Sequence, residues 1–244
     1  MGDWDIDQAA ARKVEERLYK QVDPEREDTE RLLELYFDPK GRHSGAWFER
    51  IPNEHGANSI GCHDFLAVTM LDLHIPALLA RDLYLLEGVQ DDVADLLDNV
   101  PDTNLWDATD DNLDAADELW RFLKGEAQRL RTDTGNSVPF GPARVSKLLA
   151  RKRPHLIPIT DDVVRSQIKF HGGRYWASYR SALLNSPDDR LVKRLESLQK
   201  KLRKEVPGSD AVTPLRILDA MIWIRGSKSK AAKVSCKEAG RPPS

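Results

Sequence analysis

The chain holds only two cysteines in 244 residues, Cys62 and Cys236, and they lie far apart. Two thiols cannot form the disulfide framework of a small secreted domain. They also exclude a four-cysteine iron–sulfur cluster and argue against a zinc site built on cysteines. Long apolar runs are missing as well. The most apolar stretch, 65–86, is broken by Asp72, His74, Pro76, Arg81 and Asp82, so it reads as buried helices rather than a membrane span. The first residues, MGDWDIDQAA, lack the basic segment and apolar core of a secretory signal. Sustained strand alternation is absent, and no repeat of fixed period occurs. The expectation is an all-α, cytoplasmic protein without a membrane partner. The six histidines (His43, His55, His63, His74, His155 and His171) show no metal-ligand spacing, so neither a metal nor another cofactor is expected.

What is present is helix-period patterning. Apolar residues recur at helical spacing from Asp7 to Gln21, Thr29 to Phe37, Gly61 to Leu73, Pro76 to Leu86 and Val89 to Leu97. A long helix follows from Asp110 or Asp111 to Arg131. Later helices are expected over Asp161 to Phe170, Trp176 to Leu184, Pro187 to Val206 and Thr213 to Ile224, with a break at Gly172-Gly173. Residues 38–60 form a loop-rich insert carrying Trp47 and Phe48, and long loops with aromatic residues often serve function. Residues 1–225 read as one helical unit, and 226–244 as a basic, disordered tail.

Net charge is only −3, but its distribution is uneven. Residues 1–120 hold 10 Lys/Arg against 29 Asp/Glu, a net of −19, whereas residues 121–244 hold 27 against 11, a net of +16. A basic half points to a polyanion such as double-stranded DNA. The alternative is that the two halves attract each other within one globule.

The segment 136–164, NSVPFGPARVSKLLARKRPHLIPITDDVV, carries the densest signal. Pro142 suits the first position of a helix, and Gly141 before it permits close backbone approach. The free N–H groups of such a helix start make an anion site, to which Arg144, Lys147, Arg151, Lys152 and Arg153 add positive charge. Asp161 stands twenty residues after Gly141 and opens the next helix, with Asp162 beside it. An Asp there also serves as an ordinary N-cap.

The turn Val138-Pro139-Phe140-Gly141-Pro142, the helix VSKLLA and Asp161 at this spacing resemble the helix-hairpin-helix DNA glycosylase superfamily over 113–168. In that superfamily a glycine-rich turn opens a phosphate-gripping helix, and an aspartate after it serves catalysis. The resemblance implies two helical lobes with a cleft between them and Asp161 as the catalytic carboxylate, with Asp162 in reserve. It implies phosphate contacts from Phe140, Gly141, Arg144, Lys147, Arg151, Lys152 and Arg153. The activity implied is that of a monofunctional DNA glycosylase acting on a flipped damaged or modified base, including the bulky modified bases of phage DNA. Ala143 stands near the position of the Schiff-base lysine of bifunctional members, a glycine of the turn is replaced, and the cysteine cluster of some branches is lacking. A divergent bacterial branch without an iron–sulfur cluster is the closest description.

A flipped base needs an apolar pocket. Trp47, Phe48, Trp106, Trp176 and Tyr179 are the candidates for it. The tail lysines Lys228, Lys230, Lys233 and Lys237 add non-specific attraction to DNA. Two rival readings are a non-catalytic helix-hairpin-helix DNA-binding module and an interaction protein whose acidic half docks a basic partner.

Overall fold

The structure is a computed structural model that describes residue 4 and residues 6–134, 141–170 and 175–240, with side chains at 127, 128 and 130–134 left out. Among the described residues the protein is all-helical, with twelve α-helices and no strand. They are α1 (Gln8–Val22), α2 (Asp28–Phe37), α3 (Cys62–Thr69), α4 (Ala77–Leu85), α5 (Glu87–Asp98), α6 (Asp110–Thr134), α7 (Pro142–Lys152), α8 (Asp162–Ile168), α9 (Tyr175–Leu184), α10 (Arg190–Glu205), α11 (Pro214–Gly226) and α12 (Lys230–Glu238). No described helix is long and apolar enough to cross a membrane.

Local chemistry explains most boundaries. Asp7 caps α1 by accepting from the Ala10 N–H at 3.0 Å. Thr213 caps α11, whose first residue is Pro214, where a missing N–H costs nothing. Along α10 the residues Leu191, Leu195, Leu198 and Leu202 form one buried stripe, and the remaining face is charged and polar. α11 differs: it is buried almost all round and is therefore the axis of the molecule. The helices α1, α2, α8, α10 and α12 pack on it, whereas α3, α4, α5, α6 and α7 pack mainly on one another. A continuous apolar core joins both groups.

The C-terminal segment departs from expectation. Instead of a disordered tail, Ser229 caps α12, which buries Ala232, Ser235 and Cys236. Arg42 forms a two-pronged ion pair with Glu238 at 2.7 and 2.8 Å, and His43 Nε2 lies 2.8 Å from Ser235 Oγ. Small residues form this buried stripe, so composition alone gave little sign of it. The turn Val138–Phe140, the Gly172-Gly173 break and residues 241–244 lie outside the described residues.

Candidate functional site

The site is built around α7 and the extended segment 156–161 that leads back to α8. Ser146 is fully buried in α7 and grips this segment twice: its Oγ donates to Thr160 O at 3.0 Å and accepts from Thr160 N at 3.2 Å. That clamp sets Asp161 opposite the next residue of α7, Lys147. Asp161 Oδ1 accepts from the Val164 N–H at 3.0 Å, so it does cap α8. Its Oδ2 lies 3.5 Å from Lys147 Nζ, which also donates to Leu71 O at 3.1 Å. The Lys147 side chain is 7% exposed and that of Asp161 16%, whereas that of Asp162 is 95% exposed and pairs only with Arg165. Of the two adjacent carboxylates, Asp161 is the one that faces inward.

Beside this pair lies a second buried set. Arg216 in α11 donates to Glu49 at 2.6 Å, to Tyr36 Oη at 2.9 Å, to Gly45 O at 3.2 Å and to Asp219. Gly45 is required there: a Cβ at that position would meet Tyr36 Oη at 2.3 Å. Burial raises Asp219 to about 7; the negative charge of Asp161 adds to the shift, and Arg216 and Lys147 oppose it. Burial likewise raises Glu49, and pushes Tyr36 up to about 12. His43 moves down to about 4 because burial and Arg42 disfavour its charged form. Three carboxylates (Glu49, Asp161 and Asp219) thus share two cations (Lys147 and Arg216), and the unmatched charge is met by a proton that Asp219 holds near neutral pH.

Lys147, Asp161 and Asp219 border a cavity of about 100 Å³, whose rim includes Arg42, His43, Ser229 and Ala231. The cavity lies at the seam between the two helix groups: Leu71 and Lys147 come from one, and Asp219 and Trp223 from the other. The N-terminus of α12 borders it, with exposed Lys228 and Lys230 flanking the rim residues and Lys233 further along the helix. A larger cavity of about 710 Å³ lies on the other side of the 159–161 segment, where Thr160 and Pro142 form part of its wall. Trp4, Trp120, Phe170, Tyr175 and Trp176 line it, along with Arg121, Arg165 and Lys169.

The expected site residues divide as follows. Trp176 lines the aromatic cavity, and Tyr179 is buried near Asp161 and Asp219, whose charges raise its phenol further above the range that burial sets. Trp47, Phe48 and Trp106 line neither cavity. Trp47 is exposed and donates to Pro39 O, Phe48 is buried beneath Arg216, and Trp106 packs half-buried on the core. Gly141 precedes α7 as expected, and Arg144 is half-buried and donates to His74 O at 2.8 Å. Phe140 lies outside the described residues.

The basic run ending α7 is not a phosphate grip. Arg151 and Lys152 pair with the buried Asp64 at 3.3 and 2.7 Å. Lys152 also holds Asn53 Oδ1 at 2.8 Å and Gly56 O at 3.0 Å, and Arg153 holds Ala57 O at 2.8 Å and Asn58 Oδ1 at 2.6 Å. These three cations anchor the loop 51–58 instead of facing solvent. Lys147 likewise faces Asp161 rather than a phosphate.

Sequence reading missed Arg216, Asp219 and Glu49. The available signal was the pair of charges in PLRILDAMIWI, an otherwise apolar helix, because buried charges need partners and concentrate at functional sites. It also treated the histidines as separate. In space, His55, Cys62 and His63 bring one donor atom each within 4.8 Å of one another, because the loop before α3 folds back on the helix start.

The sequence profile of a family of unknown function, DUF6308, matches residues 29–226. The chain belongs to this family. The DUF6308 span runs from α2 to α11 and contains Tyr36, Glu49, Lys147, Asp161, Arg216 and Asp219, whereas Trp4 and α12 fall outside it. No curated protein and no solved structure matches the chain.

Proposed function

We propose that this DUF6308 chain is a monofunctional DNA glycosylase that hydrolyses the N-glycosidic bond of a damaged or modified base turned out of the duplex. One observation carries the reading: Asp161 is held at a helix start, 3.5 Å from the buried Lys147 amine, and faces a cavity. Cleavage moves the bonding pair of the glycosidic C1′–N bond onto the base nitrogen and leaves positive charge on the sugar. A fixed carboxylate stabilises that charge. Asp219, which carries a proton near neutral pH, supplies it to the departing base. Water then adds at C1′ and its proton passes to Asp161; release of that proton to solvent and uptake of another by Asp219 return both carboxyls to their starting states. Lys147 positions Asp161 in this scheme, and water rather than the amine attacks C1′.

The 100 Å³ cavity has room for water and the reacting edge of a sugar. An extruded base needs more space than this, and because it is bonded directly to C1′ it would sit at the mouth of the same cavity, not in the aromatic cavity across the 159–161 segment. Phosphate contact falls to the α7 start at Gly141, to Arg144 and to the lysines of α12, in place of Arg151–Arg153. On this reading the seam between the two helix groups would serve as the cleft in which DNA is held.

Incubation with DNA carrying varied modified bases, followed by alkali, tests the reading. The wild-type chain should generate alkali-labile abasic sites. Asp161→Asn should release base at least ~100-fold more slowly while keeping its fold and DNA affinity. Full activity in Asp161→Asn, or no abasic product from the wild type on any modified base, overturns the proposal.

A further inference from the structure

The loop before α3 closes around three donor atoms. Cys62 Sγ lies 3.8 Å from His55 Nε2 and 3.7 Å from His63 Nδ1. The roles of the two ring nitrogens depend on their tautomers; with both unprotonated and the thiol ionised, three lone-pair donors stand within 4.8 Å of one another. A tetrahedral zinc ion, with Zn–S near ~2.3 Å and Zn–N near ~2.0–2.1 Å, sets sulfur–nitrogen edges of roughly 3.6 Å. The two observed edges match that spacing closely.

The surroundings are those of a ligand shell. His63 turns its other nitrogen, Nε2, toward the exposed Glu54, whose Oε2 lies 3.6 Å away, just beyond hydrogen-bond distance; closing that gap would give the carboxylate–histidine arrangement that orients metal-bound imidazoles. Gly61 makes the approach possible, because a Cβ there would lie 1.8 Å from the His55 ring. The His55 ring also packs edge-on to Tyr84 at 5.3 Å. Cys62 and His63 are the first two residues of α3, and Asp64 holds that helix start through the Gly61 N–H at 2.9 Å. Asp64 is in turn held by Lys152 and Arg151, and Lys152 and Arg153 anchor the loop that carries His55. The backbone that carries the donors is therefore anchored independently of any ion, and Cys62 is exposed, which leaves a path inward.

We propose that His55, Cys62 and His63 bind a zinc-class divalent ion whose fourth position is open to water. One thiolate and two imidazoles suit zinc better than the hard cations, which prefer oxygen. The site does not depend on the glycosylase reading.

The test uses the full chain after treatment with a chelator. Zn²⁺ titration should show one equivalent bound per chain. Co²⁺ in its place should give a near-ultraviolet thiolate charge-transfer band. Cys62→Ser and His63→Ala should each weaken Zn²⁺ binding at least ~100-fold, and Glu54→Gln about 10–100-fold. Cys236→Ser should bind as the wild type does. The Co²⁺ band is read on the wild type itself, so a variant that fails to fold does not remove the test. No stoichiometric Zn²⁺ uptake, no thiolate band, or equal affinity in a folded Cys62→Ser chain overturns the site.

Discussion

Asp219 shows how a single residue couples the chemistry to pH. It is buried beside Asp161, and its carboxyl rises from 3.8 to about 7. The folded chain therefore holds this proton more tightly than the unfolded chain does. The stabilisation is complete below about 3.8 and is lost as pH rises through about 7. Thermal melts across that window should show the wild type losing stability with rising pH, and Asp219→Asn should lose much less; equal slopes would remove Asp219 as the proton holder. Asp161 was singled out over Asp162 because it stands twenty residues after Gly141, the spacing that the resemblance to the superfamily implies. Its pairing with Lys147 was not legible, since that depends on the Ser146 clamp bringing two segments together. Neither was Asp219, whose upward shift arises first from burial, with Asp161 adding to it and Arg216 opposing it, and exists only once α11 packs against α8.

At the scale of elements, α7 was recognised as a helix from Pro142, but its basic end was assigned the wrong role. Arg151, Lys152 and Arg153 bind backbone carbonyls, side-chain oxygens and Asp64 inside the protein. Removing one member of such a buried pair leaves the other charge uncompensated. Lys152→Ala should therefore cost about 3–5 kcal/mol in chemical denaturation. A cost under about 1 kcal/mol, typical of an exposed pair, would show that Lys152 is not a structural anchor. The corresponding error at the C-terminus was to read α12 as disordered. Its cap, Ser229, and its small buried residues are weak local signals, and the α11–α2 surface they pack on stabilises the helix.

For the molecule as a whole, the charge asymmetry is partly neutralised internally. Arg225 pairs with Asp28, Arg190 with Glu15, Arg216 with Glu49, Lys152 with Asp64, Arg180 with Asp110 and Lys201 with Glu30, each joining the basic half to the acidic half. Any DNA affinity must come from cations left outside these pairs, and α12 exposes Lys230, Lys233 and Lys237. Replacing all three by alanine should weaken DNA binding and reduce the slope of log affinity against log salt by up to ~0.9 per lost phosphate contact. An unchanged slope would place the contact surface elsewhere. The sequence by itself determined the all-helical class and most helix boundaries, because periodicity, caps and proline positions act within a few residues. Tertiary structure decided which cations face solvent, which carboxylate keeps a proton and which histidines meet a cysteine. Each of these depends on the burial and spacing of groups far apart in the chain, and local pattern carries no record of that distance.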